Sequence, residues 1–123
     1  MNLGRKIPLH NNGTPIRNWL HADDTARAVV TVINSGTTNE IYNISGNAEM
    51  PNREVIQKIL KYYKGADAAE HWEDYIFESS RVGQDVRYAI DDSKLKALGW
   101  QPQAEFDKAL EEIVKYYTIN FIW

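Results

Sequence analysis

The sequence predicts a small mixed α/β domain with short strands and about four helices. Three observations carry this expectation. Four segments repeat apolar residues at helical spacing, five short runs read as strands, and the two kinds interleave along the chain. With 123 residues, one domain spanning 1–123 is expected, large enough to bury a core unaided.

In chain order, "KIPLH" and "IRNWLH" read as strands, and "NNGT" at residues 11–14 is a turn signal that would join them as a hairpin. Ala26, Val29, Val30 and Ile33 then fall at i, i+3, i+4 and i+7 of a helix that Asp23 and Asp24 would cap and Gly36 would end. "EIYNIS" is a third strand-like run. From Asn52, the residues Val55, Ile56, Ile59, Leu60 and Tyr63 form a second helical stripe, closed by Gly65. "KGADAAEHWED", residues 64–74, reads as a loop, and "YIFES" and "RYAID" as strands. "DDSKLKALGW" is a short third helix with Asp92 or Ser93 as cap and Gly99 at a left-handed stop. Phe106, Ala109, Leu110, Ile113, Val114 and Tyr117 keep one face through three turns of the fourth.

Fourteen basic against seventeen acidic residues give a net charge of −3, which argues against a nucleic-acid partner. A local anion site needs only two or three basic residues, so that class stays open. The absence of cysteine excludes disulfides, thiol nucleophiles and thiolate metal sites. "MNLGRKIPLHNN" lacks the apolar region of a secretory signal, and no run approaches the ~18 apolar residues of a membrane span. A cytoplasmic chain with no membrane contact is expected.

"IRNWLHADD" gathers the residue types of an active site. His21, Asp23 and Asp24 are metal-ligand types, but His10 and His71 lie in unrelated segments and no HxH or HExxH spacing exists. No metal site is therefore expected, and the aspartates are read as starting a helix. Trp19 is read as packing. Arg17 has two readings: an ion pair with an acidic neighbour, or a bidentate clamp on a carboxylate or phosphate ligand. Asn52, after Pro51, is either a helix N-cap or an amide facing a ligand at a helix N-terminus. "SRVGQDVRYAID" sets Arg81 and Arg87 around Gly83. They are either solvated surface charges or partners of Arg17 in holding a phosphate.

Catalytic machinery is not visible. The seven glycines never come closer than nine positions, so neither GxGxxG nor a P-loop exists. No tyrosine has a lysine four positions downstream, and no GxSxG is present.

These residues permit a comparison. "IRNWLHADDTARAVVTVINSGTTNEIYNISGNAEMPNREVIQKIL" resembles the "RDWLHVDDxxRA…GExYNIGGxxExxNxEVV" segment of dTDP-glucose 4,6-dehydratases. "SRVGQDVRYAIDDSKLKALGWQPQAEFDKALEEIVKYY" resembles their "DRPGHDRRYAIDxxKIxxELGWxPxxxFxxGLxxTVxWY". These are extended short-chain dehydrogenase/reductase enzymes acting on nucleotide-activated sugars. "YAID" favours the dehydratase branch over the sugar-epimerase branch.

The resemblance covers about the C-terminal third of such an enzyme. It implies the smaller, substrate-binding domain, lacking the Rossmann domain that binds NAD and carries the tyrosine-lysine pair. No catalytic or cofactor-binding residue is then expected in this chain, and NAD belongs to the complete enzyme. By position, the resemblance assigns Arg17, Asn52 and Arg81 to the nucleotide-diphosphate side of a dTDP- or UDP-linked sugar. Gln84 stands where the family has histidine, keeping hydrogen bonding without a titratable group. Val82 replaces a proline and Val86 an arginine, while Asn18 replaces an aspartate.

The implied partners are a nucleotide sugar and a Rossmann domain, in the same parent chain or in another polypeptide. Separation from that domain would expose apolar surface and favour a homo-oligomer. The alternatives are a stand-alone nucleotide-sugar-binding or protein-interaction module, a fragment of an epimerase, or a decayed gene product.

Overall fold

A computed structural model describes residues 4–120. Its elements run β1 (Ile7–His10), β2 (Ile16–Trp19), α1 (Ala22–Ser35), β3 (Ala48–Pro51), α2 (Asn52–Lys64), α3 (Ala66–Glu70), β4 (Ile76–Ser79), α4 (Ser93–Lys96) and α5 (Phe106–Ile119). The class is mixed α/β with short strands, as expected. β1 lies parallel to β4, with Ile7 opposite Ile76 and His10 opposite Ser79. β2 lies antiparallel to β3, with Arg17 opposite Met50 and Trp19 opposite Ala48. On the other edge of β2, Ile16 forms a parallel bridge with Arg87.

The expected hairpin does not form. Asn11, Asn12 and Gly13 all take left-handed backbone, with φ of 51°, 52° and 64°, but they make a 3-10 turn. β1 and β2 then join different sheets. Burial decides the pairing: Leu9 of β1 and Ile76 of β4 enter one core with Ile56, Leu60 and Trp72. Nonlocal apolar contact outweighs the local turn preference.

A second core holds Ala28, Leu95 and Trp100, with Leu20, Val32, Tyr42 and Ile44 packed against it. Here "EIYNIS" departs from expectation. Tyr42 and Ile44 point inward while Ile41 is 82% exposed, so the two-residue alternation is present without a strand. Side chains tie the segment down instead. The Thr37 amide donates to the Tyr42 hydroxyl at 2.9 Å, and Asn43 Nδ2 donates to the Asp91 carbonyl at 2.9 Å. "RYAID" likewise makes the Arg87 bridge and no longer ladder.

The segment expected as a loop at 64–74 contains the fifth helix. Gly65, at φ 101°, ends α2 and turns the chain directly into α3. Ala68 and Trp72, four positions apart, are both buried in the first core. Gly99 closes the α4 segment at φ 87°, the left-handed stop that its position predicted.

On α1 the structure corrects the sequence twice. The cap is His21, whose Nδ1 accepts the Asp23 amide at 3.2 Å. Asp23 and Asp24 lie inside the first turn, where their charge suits the helix dipole. The buried face is also different: Asp24, Ala28 and Val32 turn inward at i, i+4 and i+8. Val29, Val30 and Ile33 of the expected stripe are 48%, 55% and 75% exposed.

Candidate functional site

The site grows from β2. Its edge toward residues 86–88 is hydrogen-bonded on both sides of Ile16: the Ile16 amide donates to the Val86 carbonyl at 2.8 Å, and Tyr88 donates to the Ile16 carbonyl at 3.4 Å. Its other edge pairs with β3, which leads into α2. The Asn52 amide, at the first helical position, donates to the Pro15 carbonyl at 3.1 Å. Three segments distant in sequence thus meet at residues 15–17.

Arg17 stands at this junction. Its Nη1 donates to the Ile16 carbonyl at 2.7 Å, and Nη1 and Nη2 both reach the Asp85 carbonyl at 3.2 Å. The guanidinium carbon lies 4.1 Å from the Tyr88 ring centroid, a cation–π geometry. The ion-pair reading of Arg17 is therefore corrected. Among the described residues no carboxylate lies within ion-pairing distance of Arg17 or of Arg81. Arg17 is held by neutral carbonyls and an aromatic face, which fix its position.

Arg81 and Gln84 come to the same junction through Asn11. Asn11 Oδ1 accepts the Arg81 amide at 2.9 Å, and its Nδ2 donates to the Arg81 carbonyl and to Gln84 Oε1, both at 3.0 Å. The Asp85 carboxylate beside the Tyr88 hydroxyl pushes its pKa up from the ordinary value, while Arg17 and Arg81 oppose that rise. Asn11 thus holds the Arg81 backbone and the Gln84 side chain, Arg17 holds the Asp85 carbonyl of the same segment, and Asn52 stands at the neighbouring helix start.

Two expectations change. Asn52 does not cap α2: Pro51 is the extended residue before the helix, and no side-chain cap bond is made. Arg87 does not join Arg17. It grips Glu49 on β3 through Nε and Nη2, the latter at 2.9 Å. The pair holds the Glu49 carboxyl below its ordinary range and raises Arg87. Asn11, Tyr88 and the Asp85 carbonyl escaped sequence reasoning. The turn-forming character of "NNGT" was the one local signal, and it carried no information about a partner seventy positions away.

Beside this junction lies a cleft of about 600 Å³, walled by Trp19, Leu20, Ala48, Pro102, Phe106 and Leu110. Trp19 meets Phe106 edge to face, with centroids 6.3 Å apart, consistent with its expected packing role. Its indole Nε1 is buried without a hydrogen-bond partner. Strand alternation puts Trp19 and Arg17 on the same face of β2. Gly46 is needed at the cleft wall, because a Cβ there would run into the Trp19 carbonyl.

Asp24 closes the far side. Its buried carboxylate accepts the amides of Gln103 and Ala104, each at 3.1 Å, and pairs with Arg27. Its carbonyl accepts Trp100 Nε1 at 3.2 Å. Burial raises the carboxyl pKa, but the two amides and Arg27 together lower it further. Among the described residues, no group of three His, Asp or Glu side chains could hold a metal ion. No described helix is long and apolar enough to cross a membrane.

A family model described as GDP-mannose 4,6 dehydratase matches residues 1–113. The chain is 38% identical to a dTDP-glucose 4,6-dehydratase of Haemophilus influenzae, over 96% of this chain and 37% of that protein. It is 39% identical to the low-salt glycan biosynthesis protein Agl12 of Haloferax volcanii, over 93% of this chain and 35% of that protein. Among solved structures, dTDP-glucose 4,6-dehydratase of Bacillus anthracis in complex with NAD superposes with a TM-score of 0.84 at 34% identity. That match covers 98% of this chain and 37% of the other. DesIV of Streptomyces venezuelae, a dTDP-glucose 4,6-dehydratase with NAD and TYD bound, gives 0.82 at 36% identity, covering 95% and 35%. The chain thus spans little more than a third of the length of these relatives.

Proposed function

Given that the chain belongs to the GDP-mannose 4,6 dehydratase family, we propose that it is the nucleotide-sugar-binding part of a 4,6-dehydratase-like enzyme. One observation carries this reading. Arg17 stacks on the Tyr88 ring, and neither Arg17 nor Arg81 makes an ion pair among the described residues. A diphosphate supplies the missing charge, and forked guanidiniums match its oxygens in pairs. Asn52 and Gln84 add neutral hydrogen-bonding groups. DesIV, with NAD and TYD bound, shares this fold over 95% of the chain.

On this reading the chain binds and orients a dTDP- or UDP-linked sugar, while a Rossmann unit supplies the reaction. NAD there would oxidise the sugar at carbon 4, water would leave across carbons 5 and 6, and hydride would return to carbon 6. The chain lacks the glycine-rich loop and the tyrosine-lysine pair that this chemistry uses in the family. The exposed apolar side of α1, Val29, Val30 and Ile33, supports a partner, because apolar surface of this kind favours burial.

Titration with dTDP, followed by amide NMR, tests the binding claim. Shifts at Arg17, Asn52, Arg81 and Gln84 are expected. Unshifted signals at millimolar dTDP overturn it. Turnover of dTDP-glucose by this polypeptide alone would overturn the division of labour.

A further inference from the structure

We propose that Asn11 is a positioning residue that sets where Arg81 stands relative to Arg17; the proposal rests on the diphosphate reading above. The segment that carries Arg81 has little packing of its own. Every residue from 80 to 88 is exposed except Gln84, and Val82 is 99% exposed. Gly83 turns the chain at φ 73°, adding no side chain to anchor it. Hydrophobic burial therefore does not hold this segment, and its polar contacts do.

Asn11 supplies the contacts at its start. Its carboxamide accepts from the Arg81 amide and donates to the Arg81 carbonyl, bonding both polar groups of one residue as a strand neighbour would. The second hydrogen of Nδ2 reaches Gln84 Oε1. Farther along, Arg17 holds the Asp85 carbonyl. The two proposed diphosphate ligands are thereby linked: Arg17 anchors one end of the segment and Asn11 the end from which Arg81 projects.

The residue type fits this task and few others would. Position 11 has φ 51°, where most side chains are strained but asparagine is tolerated. Aspartate would keep an acceptor and lose both donors, and alanine would lose all three bonds. Glycine satisfies the backbone and removes the clasp, so Asn11→Gly isolates the side chain's contribution from strain.

The test uses the 123-residue chain. In Asn11→Gly, the Arg81 amide should exchange with solvent about tenfold faster, while the Leu60 amide in the core is unchanged. Binding of dTDP should weaken about tenfold. In an Arg81→Ala background, Asn11→Gly should weaken dTDP binding much less, since only Gln84 is left to place. Unchanged Arg81 exchange in Asn11→Gly would overturn the proposal, as would an equal loss of dTDP affinity with and without Arg81. If the unmodified chain does not bind dTDP, the diphosphate reading falls, and the exchange result alone decides whether Asn11 sets this segment.

Discussion

The guanidinium carbon of Arg17 stands 4.1 Å from the ring centroid of Tyr88, and two of its nitrogens share the Asp85 carbonyl at 3.2 Å. Residues 71 positions apart in sequence become one unit because residues 86–88 bond to the edge of β2. The stack orients a charged fork that has no acidic partner among the described residues. Tyr88→Phe should retain the stack and bind dTDP within about twofold of the unmodified chain. Tyr88→Ala should weaken binding about two- to fivefold, the range for an exposed cation–π contact. Calorimetric titration of the three proteins checks this. Equal affinity in Tyr88→Ala would show that the ring does not orient Arg17.

Asp24 should be a strong determinant of stability. Its buried carboxylate satisfies two backbone amides and Arg27, so Asp24→Ala leaves three donors wanting. A loss of about 2–4 kcal/mol is expected in urea unfolding. Dissolving this link should loosen residues 103–104 before α5, which amide exchange would report.

The same carboxylate gives a pH signature. Its folded pKa is lowered from the ordinary 3.8, so its contribution is fully present above that value. It is lost as pH falls below 3.8 and through the folded pKa. Unfolding of Asp24→Asn and of the unmodified chain, compared from pH 6 down to pH 2.5, should show a gap that narrows on acidification. A gap constant down to the lowest pH would refute the assignment.

Gly46 should resist substitution. A Cβ at this position meets the Trp19 carbonyl, whose carbon would be 2.8 Å away. Backbone cannot rotate aside as a flexible side chain can. Gly46→Ala should cost about 1–3 kcal/mol and disturb the indole signal of Trp19. Unaltered stability and an unaltered indole resonance would show that β2 yields without cost.

The two sides of α1 should behave oppositely. Val30→Lys, on the exposed side, should change stability by less than about 0.5 kcal/mol. Val32→Ala, at a side chain packed against the core of Ala28, Leu95 and Trp100, should cost about 1–2 kcal/mol. Val30→Lys should also reduce self-association in sedimentation if that side buries against a partner. The reverse stability order would restore the stripe read from the sequence.

How much was legible depends on the range of the governing interaction. α2 was read correctly, because Val55, Ile56 and Leu60 are buried where a 3.6-residue period places them. The left-handed stop at Gly99 is equally local. On α1 the apolar period pointed to Val29, Val30 and Ile33, while the fold buries Asp24, Ala28 and Val32. A buried aspartate breaks a pattern based on hydrophobicity, and only the amides of Gln103 and Ala104 make its burial tolerable.

The sequence by itself determined the class of the fold and the family resemblance. These rest on composition, short-range spacing and motif order, which are readable along a line. Tertiary structure decided the strand partners, the cap and buried side of α1, and the separation of Arg81 from Arg87. Glu49 takes Arg87 because β3 and residues 86–88 flank the same strand, while Asn11 holds Arg81 through bonds across seventy positions. Such contacts depend on which distant groups share a neighbourhood after apolar burial has chosen the strand pairs, and no local period encodes that choice.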